Sequence, residues 1–320
     1  MRITCVSLNS CVDRVLAADG FRVGSHCLAR LLAEQPAGKA VNVARILADL
    51  RTPNRLVALV GEDRRDFFRR HLARVPRLRL ELIVASARTR QNTTILDQRG
   101  LTETHIREYG EKIQTRAWRA LTRALTTASD EWVVLCGTLP PAFEVERFGE
   151  LLRRIRRAGK KIIVDASGTA LAEAMRAGAD FIKPNRAELA ELLGVETSRR
   201  QRMNIPTAAA SLLDANPNLN LLASDGKNGA YFFSTSSAWH AKASGRVKIV
   251  STVGAGDALL AGFICGMARH EQPAQCLRRA VRVATASLAC AAAGEIDRAL
   301  LLNPKGIAIA LRSLMLEKSV

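Results

Sequence analysis

Short runs of consecutive apolar residues alternate along this chain with stretches whose apolar positions recur every three to four residues. Met1 to Asn9 reads as a short strand. The run 56–60 (Leu-Val-Ala-Leu-Val) is followed by a charged amphipathic stretch, and Trp132–Cys136 precedes a helical pattern over 145–158. In that pattern Phe148, Leu151, Leu152 and Ile155 fall at i, i+3, i+4 and i+7, which places them on one helix face. Lys161–Asp165 leads into a helix over 170–177, and Phe181-Ile182 into another over 187–193. Uninterrupted apolar strands separated by helices of this length predict an α/β domain, with a mainly parallel sheet covered on both faces.

Two regions break the rhythm. Residues 9–36 and 80–108 lack helical periodicity and read as extended antiparallel pieces, as in the alternation of Thr93-Thr94-Ile95-Leu96 and Thr104-His105-Ile106-Arg107. Neither is long enough to fold alone, so they are expected to form one small β sheet attached to the main domain. From Ala258 onward the pattern turns helical, with mostly uncharged, Ala- and Leu-rich stretches at 258–268 and 276–292 that read as buried helices. No internal repeat or low-complexity linker divides the 320 residues, and one domain is expected.

Charge adds a question. Lys and Arg number 48 against 30 Asp and Glu, a net +18, and 38 of the 48 are Arg. Such a surplus fits nucleic acid, anionic lipid or phosphorylated metabolites. Aromatic residues are only 4% and do not interleave with the basic ones, so nucleic acid is the weaker reading. The Arg-rich stretches 64–79 and 153–157 read as solvated helix faces. Seven scattered cysteines without a C-x-x-C pair argue against a disulfide framework and for a reducing cytoplasm. The N-terminus lacks a signal-peptide core, no stretch approaches the ~18 apolar residues of a membrane span, and the histidines show no zinc spacing.

The chemistry concentrates at residues 250–262, Val-Ser-Thr-Val-Gly-Ala-Gly-Asp-Ala-Leu-Leu-Ala-Gly. Gly254 and Gly256 allow tight turning where an apolar helix begins, and the free N–H groups of that first turn form an anion site. Asp257 is expected to stay ionised there, favoured by the helix dipole, and to accept a proton from a hydroxyl attacking a phosphoryl group. This is not a dinucleotide fingerprint, because Leu259 stands where Gly or Ala is needed, and no Walker A sequence occurs.

The segment resembles the signature of the ribokinase-like (PfkB) family of sugar kinases, Asp-Thr-x-Gly-Ala-Gly-Asp. Gln35-Pro36-Ala37-Gly38-Lys39-Ala40-Val41-Asn42 is similar to that family's Gly-Gly-Lys-Gly-x-Asn. Between them, in the family's order, lie Gly137-Thr138-Leu139-Pro140-Pro141, Asp165-Ala166-Ser167-Gly168, Lys183-Pro184-Asn185-Arg186-Ala187-Glu188 and Ser224-Asp225-Gly226-Lys227-Asn228-Gly229. The resemblance implies a ribokinase-like fold whose small sheet is a lid over the sugar, in a cytoplasmic enzyme using ATP and Mg²⁺. Because such a lid presents exposed strand edges, pairing of two copies through it, as a homodimer, is a further expectation. The resemblance also implies Asp257 as catalytic base, with the backbone of Gly254, Ala255 and Gly256 on the transferring phosphate. Ser224, Asp225, Gly226, Gly229, Lys183, Asn185 and Thr252 would bind the nucleotide, and Asn185 and Glu188 would organise magnesium through water. Lys183-Pro184-Asn185 also reads as a strand end followed by a helix cap, Asn at N-cap and Glu at N3, and both readings can hold together.

Leu8-Asn9-Ser10-Cys11-Val12-Asp13 resembles the opening of the family's phosphofructokinase branch. By that resemblance Asp13 and Asn42 bind sugar hydroxyls, and Arg90, Arg107 and Lys39 face a substrate phosphate, with Gly38 in the substrate loop. Arg suits that task because its planar fork grips phosphate at two points. Ser251 stands at the signature's first position, where kinases of unphosphorylated sugars carry Asp. The expected substrate is therefore fructose 1-phosphate, with tagatose 6-phosphate and fructose 6-phosphate next. Departures are Ala37 and Ala40 in place of glycines, where Ala40 is expected to crowd the sugar and to exclude positive φ, and Glu295-Ile296-Asp297 after Gly294. A regulatory or nucleic-acid-binding protein on a degenerate kinase scaffold is the rival expectation.

Overall fold

The structure is a computed structural model that describes all residues except 98, 101, 142, 196–202, 246, 304–305 and 315–320. Its strands and helices run β1 (Ile3–Ser7), β2 (Cys11–Ala17), β3 (Arg30–Ala37), α1 (Lys39–Asp49), β4 (Asn54–Gly61), α2 (Arg65–Leu72), β5 (Leu78–Ala85), β6 (Arg90–Asp97) and β7 (Thr102–Arg107). They continue with α3 (Thr115–Thr127), β8 (Trp132–Cys136), α4 (Val145–Arg157), β9 (Lys161–Asp165), α5 (Gly168–Arg176), β10 (Phe181–Ile182), α6 (Arg186–Leu192), α7 (Ile205–Ala215), β11 (Asn220–Ser224), β12 (Ala230–Ser234) and β13 (Ser237–Ser244). The C-terminal part holds α8 (Ala255–Ala268), α9 (Pro273–Ser287), α10 (Arg298–Leu302) and β14 (Ala308–Ser313).

A ten-stranded sheet in the order β14-β13-β12-β11-β10-β9-β8-β1-β4-β5 forms the centre. From β11 to β5 every pairing is parallel, while β12, β13 and β14 add an antiparallel edge. Strand alternation explains the two cores. In β4, Leu56, Ala58 and Val60 face α1, α2, α8 and α9, and Val57 and Leu59 face α3 to α7. Because both faces are covered, the strands need no polar face and read as uninterrupted apolar runs. Burying a Leu or Val side chain on either face contributes about 1.5–3 kcal/mol.

A second sheet, β3-β2-β6-β7, stands apart from the first. Its strands come from 11–37 and 90–107. The expected lower boundary at residue 80 falls inside β5, which pairs parallel with β4 in the main sheet; β5 reads as part of the small sheet because no helix follows it. The pairing within the small sheet is also mixed, since β2 and β6 run parallel. The chain after residue 258 is not helical to its end: β14 closes the antiparallel edge against β13. Among the described residues no helix is long and apolar enough to cross a membrane.

Candidate active site

The parallel strands end on one side of the sheet, and the residues of interest cluster there, as open α/β sheets place their ligands. Asp165 is the last residue of β9, Lys183 follows β10, and Ser224 ends β11. Helices α1 and α8 begin at the same rim.

Gly38 caps α1 with φ 127°, a conformation closed to side chains, and a Cβ there would lie 3.2 Å from Ser7 Oγ. This turn aims Lys39 and Asn42, one helical turn apart, at the start of α8. Ala37 and Ala40 are fully buried, and Ala40 packs in the core on helical backbone. The expected strain at Ala40 therefore does not arise: its backbone is helical and its methyl is buried in the core.

Gly254 caps α8 in the left-handed conformation, φ 82°, and a Cβ there would approach Ala293 Cβ to 2.9 Å. Gly254→Ala is therefore expected to lower stability by about 1–2 kcal/mol for the left-handed backbone alone, with a further loss from the Ala293 clash. A melting curve checks this, and an unchanged Tm would mean that the turn relaxes freely.

Asp257, in the first turn of α8, is buried and accepts a hydrogen bond from Asn42 Nδ2 at 2.8 Å. Burial and then the Asp165 carboxylate push its carboxyl up to about 7, against the Asn42 hydrogen bond and the Lys39 and Lys183 ammonium groups. The expectation that the helix dipole keeps Asp257 fully ionised is thereby corrected. Desolvation of a carboxylate outweighs a dipole effect of about 0.3–2 kcal/mol. Near neutrality the group is poised between its two forms, as a general base requires.

Asp165 receives both lysines: Lys39 Nζ lies 3.1 Å from Oδ1 and Lys183 Nζ 3.4 Å from Oδ2. For Lys39, burial opposes the charge, yet Asp165 and Asp257 hold its pKa above the ordinary lysine value. Lys183 is buried, and its ammonium lies 3.4 Å from where a Gly256 Cβ would stand. A positive charge thus sits directly over the backbone of the α8 turn, where it can meet an anion held by those amides. Lys39 belongs to this centre beside Asp165 and Asp257. Asn42 likewise contacts the Asp257 carboxylate through Nδ2, while its Oδ1 is buried with no hydrogen-bond partner among the described residues. Asp165 had no role assigned from the sequence. Its signal was a charged residue directly after the apolar run Ile162-Ile163-Val164.

The expected nucleotide residues divide. Ser224 and Asn185 form a parallel bridge that brings the two segments together. Asp225 is held by Arg186 through Nε at 2.7 Å and Nη2 at 2.6 Å, and by Asn228 Nδ2 at 3.0 Å. Through these bonds the carboxylate shapes the loop from inside. Gly229, φ 99°, would put a Cβ against the Ala241 carbonyl, so it too serves the hairpin, whereas Gly226 faces open space. Thr252 is exposed in the loop before α8.

Asn185 and Glu188 form a capping box on α6. Asn185 Oδ1 accepts from the Glu188 N–H at 2.9 Å, and Glu188 Oε2 accepts from the Asn185 N–H at 2.8 Å.

On the small sheet, the register aligns Gln35, Asp13, Asn92 and Arg107 across β3, β2, β6 and β7. Asp13 Oδ1 accepts from Asn92 Nδ2 at 2.8 Å, and Arg90 donates to Asn92 Oδ1 at 3.0 Å and to the Asn9 carbonyl at 3.1 and 3.2 Å. These contacts leave Arg90 with unused N–H groups. Arg107 is exposed and makes no ion pair among the described residues. Gln35 and Arg45 tie this sheet to the main domain, through the Ala293 carbonyl and Glu295.

A model of the pfkB family of carbohydrate kinases matches residues 2–298. The 1-phosphofructokinase of Rhodobacter capsulatus is 32% identical over 276 residues, covering 82% of this chain and 83% of that one. That of Escherichia coli K12 is 29% identical over 299 residues, covering 93% and 94%. In shape, the crystal structure of Escherichia coli phosphofructokinase-2 in complex with potassium matches with a TM-score of 0.86 at 22% identity, over 93% of this chain and 96% of that one. A possible 1-phosphofructokinase from Thermotoga maritima matches at 0.79 and 19% identity, over 98% and 100%. With a glycine turn under a buried carboxylate, two lysines on one aspartate and this likeness along nearly the whole chain, the protein belongs to the pfkB family of carbohydrate kinases and is an ATP-dependent sugar kinase.

Proposed function

We propose that the protein transfers the γ-phosphoryl group of ATP to a free hydroxyl of fructose 1-phosphate, giving fructose 1,6-bisphosphate and ADP. The observation that carries this reading is Asp257, buried at the glycine turn with its carboxyl near 7 and held by Asn42. The hydroxyl oxygen bonds to the γ-phosphorus as the bond from that phosphorus to the β-bridging oxygen breaks. The proton passes to Asp257. The amides of the Gly254–Gly256 turn, with Lys183 above them and Lys39 alongside, hold the charge on the transferring group. Ser224, Gly226 and Thr252 line the approach of the nucleotide.

Glu188 uses Oε2 in the capping box and keeps Oε1 for a ligand, and its charge reaches Lys39. One outward carboxylate, with phosphate oxygens and water, suits Mg²⁺, which prefers to keep much of its hydration shell. When bound, the ion neutralises charge on the β- and γ-phosphates. Asn185 fixes the orientation of Glu188 through the box.

The sugar phosphate is assigned to the row on the small sheet. Asp13 takes hydroxyls, and Arg90 and Arg107 take the phosphate. The 1-phosphofructokinase names of the Rhodobacter and Escherichia relatives support this choice. The test is ADP release with Mg-ATP against fructose 1-phosphate, fructose 6-phosphate, tagatose 6-phosphate, fructose and ribose, in which fructose 1-phosphate should have the highest kcat/KM. A preference for an unphosphorylated sugar would overturn the assignment. Arg90→Ala is expected to raise KM for the sugar phosphate about 10–100-fold, the loss of one or two charged hydrogen bonds, and to leave KM for ATP nearly unchanged. Equal effects on both would remove Arg90 from the phosphate site.

The small sheet acts as a lid that excludes water from the reacting phosphoryl group. Its edge strands expose Leu31, Leu32 and Ile106, and Val23 and Leu28 are almost wholly exposed in the β2–β3 connection. Apolar side chains on open strand edges fit pairing with a second copy, and Escherichia coli phosphofructokinase-2 has a tetrameric inhibited form. Light scattering should give a dimer for the wild type and a monomer for Leu28→Glu/Leu32→Glu. A dimer in both would move the interface elsewhere. Seven free thiols, five of them buried, fit a cytoplasmic enzyme.

A further inference from the structure

A cavity of about 750 Å³ lies at the opposite ends of the helices that carry the proposed reacting groups. It opens where α1 and α8 terminate and is walled by α9 and α10. Helix α8, with 14 residues, places it about 20 Å from Asp257.

Its walls carry six arginines, Arg51, Arg269, Arg278, Arg279, Arg282 and Arg298, against two carboxylates, Asp49 and Glu271. The carboxylates are taken: Arg298 pairs with Asp49 at 2.6 Å, and Arg279 grips Glu271 with two hydrogen bonds. Arg269 donates to the Leu50 carbonyl at 3.0 Å and Arg282 Nη2 to the Asn303 carbonyl at 2.9 Å. Among the described residues, the Arg51 and Arg278 guanidinium groups have no ion pair or hydrogen bond, and Arg282 Nε is buried without a hydrogen-bond partner. Two of the six charges are met by the Asp49 and Glu271 carboxylates, and the other four repel each other unless an anion joins them.

The backbone supplies an independent observation. Both helices end in the same motif. In α1, the Arg51 N–H bonds the Ala48 carbonyl at 3.0 Å and the Thr52 N–H bonds Leu47 at 2.8 Å. In α8, the His270 N–H bonds Met267 at 3.0 Å and the Glu271 N–H bonds Gly266 at 3.1 Å. This termination puts one residue in the left-handed region, the position glycine normally takes. Helices α4, α5 and α6 follow that rule with Gly159, Gly178 and Gly194. Helices α1 and α8 break it with Arg51, φ 60°, and His270, φ 58°. Arg51 lines the cavity, and His270 stands between two residues that do. A disfavoured conformation kept at both rims of one basic cavity points to a use for the side chains.

We propose that this cavity is a binding site for a small polyanion, a phosphorylated molecule with two or more negative charges. The volume falls within the range of small-molecule sites, about 300–1,000 Å³. The excess of four guanidinium groups over carboxylates matches a diphosphate, each phosphate gripped at two points by an arginine fork. Bound there, the anion ties the C-terminal ends of α1 and α8 to α9, behind the Asn42–Asp257 contact. The proposal does not depend on which sugar phosphate is the substrate.

Isothermal titration with pyrophosphate at fixed ionic strength tests it on the full-length protein, with sodium chloride of equal ionic strength as control. Wild type and Lys183→Ala, which weakens the catalytic anion turn, should both bind pyrophosphate. Arg51→Gly/Arg278→Ser should bind at least tenfold more weakly. That variant is suited to the purpose because glycine relaxes the left-handed position, so its Tm should equal or exceed that of the wild type. A folded double variant that binds as the wild type does, loss of all binding in Lys183→Ala, or no heat beyond the salt control would each overturn the proposal.

Discussion

Asp257→Asn is expected to lower kcat by about 10²–10⁴-fold, the range for removal of a positioned general base, while KM for both substrates changes little. The amide keeps the shape of the carboxyl and can still accept from Asn42 Nδ2, so the turn and the phosphate site stay in place. Steady-state kinetics decide the matter, and turnover near that of the wild type would remove Asp257 as the base. The pH dependence follows from the same burial. The carboxylate must be free of its proton to act, and its pKa is raised to about 7, so kcat/KM should fall as pH drops through about 7. Stability carries the opposite sign. A carboxyl whose folded-state pKa lies above its unfolded value binds its proton more tightly in the native state. Its cost to stability is absent where both states are protonated, grows as pH rises, and is complete above about 7. Asp257→Asn should therefore raise Tm at alkaline pH and lose that advantage in acid. Equal melting temperatures at all pH values would contradict the raised pKa.

Asp165→Asn should affect both fold and chemistry. Asp165 is buried between two ammonium groups, and Lys183 is nearly as deeply buried. Removing the shared negative charge leaves Lys183 without its counter-ion, which costs on the order of 3 kcal/mol. The second consequence is diagnostic. Asp165 is the largest electrostatic cause of the raised Asp257 pKa, and the freed lysines would act on Asp257 more strongly. The acid limb of kcat/KM should therefore move to lower pH, a shift that general destabilisation would not produce. An unmoved limb would show that burial alone sets the Asp257 pKa.

The opening question about charge now has a structural answer in part. Lys39 and Lys183 gather on Asp165 at the proposed reacting centre, and Arg90 and Arg107 lie on the small sheet beside Asp13 and Asn92. Of the stretches expected as solvated helix faces, 64–79 is helical in α2 only over 65–72 and ends in β5, and Arg153 of α4 pairs with Glu173; the exposed arginines of α2 and α4 remain solvated. Six more surround the cavity behind α8: five lie between residues 269 and 298, and the fold brings Arg51 to them.

Much of the architecture was legible. Buried parallel strands are apolar on both faces, so 56–60, Trp132–Cys136 and Lys161–Asp165 stood out, and β8 and β9 have those bounds. The glycine turn and Asp257 were equally plain, because a turn that needs positive φ and open amides can be written in few ways. Strand β5 was less so, since an edge strand alternates like a lid strand and only its partner β4 tells them apart.

What chain order could not supply was proximity between segments far apart in sequence. Residues 42 and 257 become a hydrogen-bonded pair, and residues 39, 165 and 183 become one charge cluster, only when α1, β9, β10 and α8 meet at the same rim. A pKa is set by that gathering and by the exclusion of water, which is why the motif alone implied an ionised Asp257 and the fold raised it to about 7. Local sequence determined the elements, the turn and the carboxyl proposed as the base. Tertiary packing decided its neighbours, its dielectric surroundings and hence its proton, because electrostatic energies depend on distance through space and not on distance along the chain.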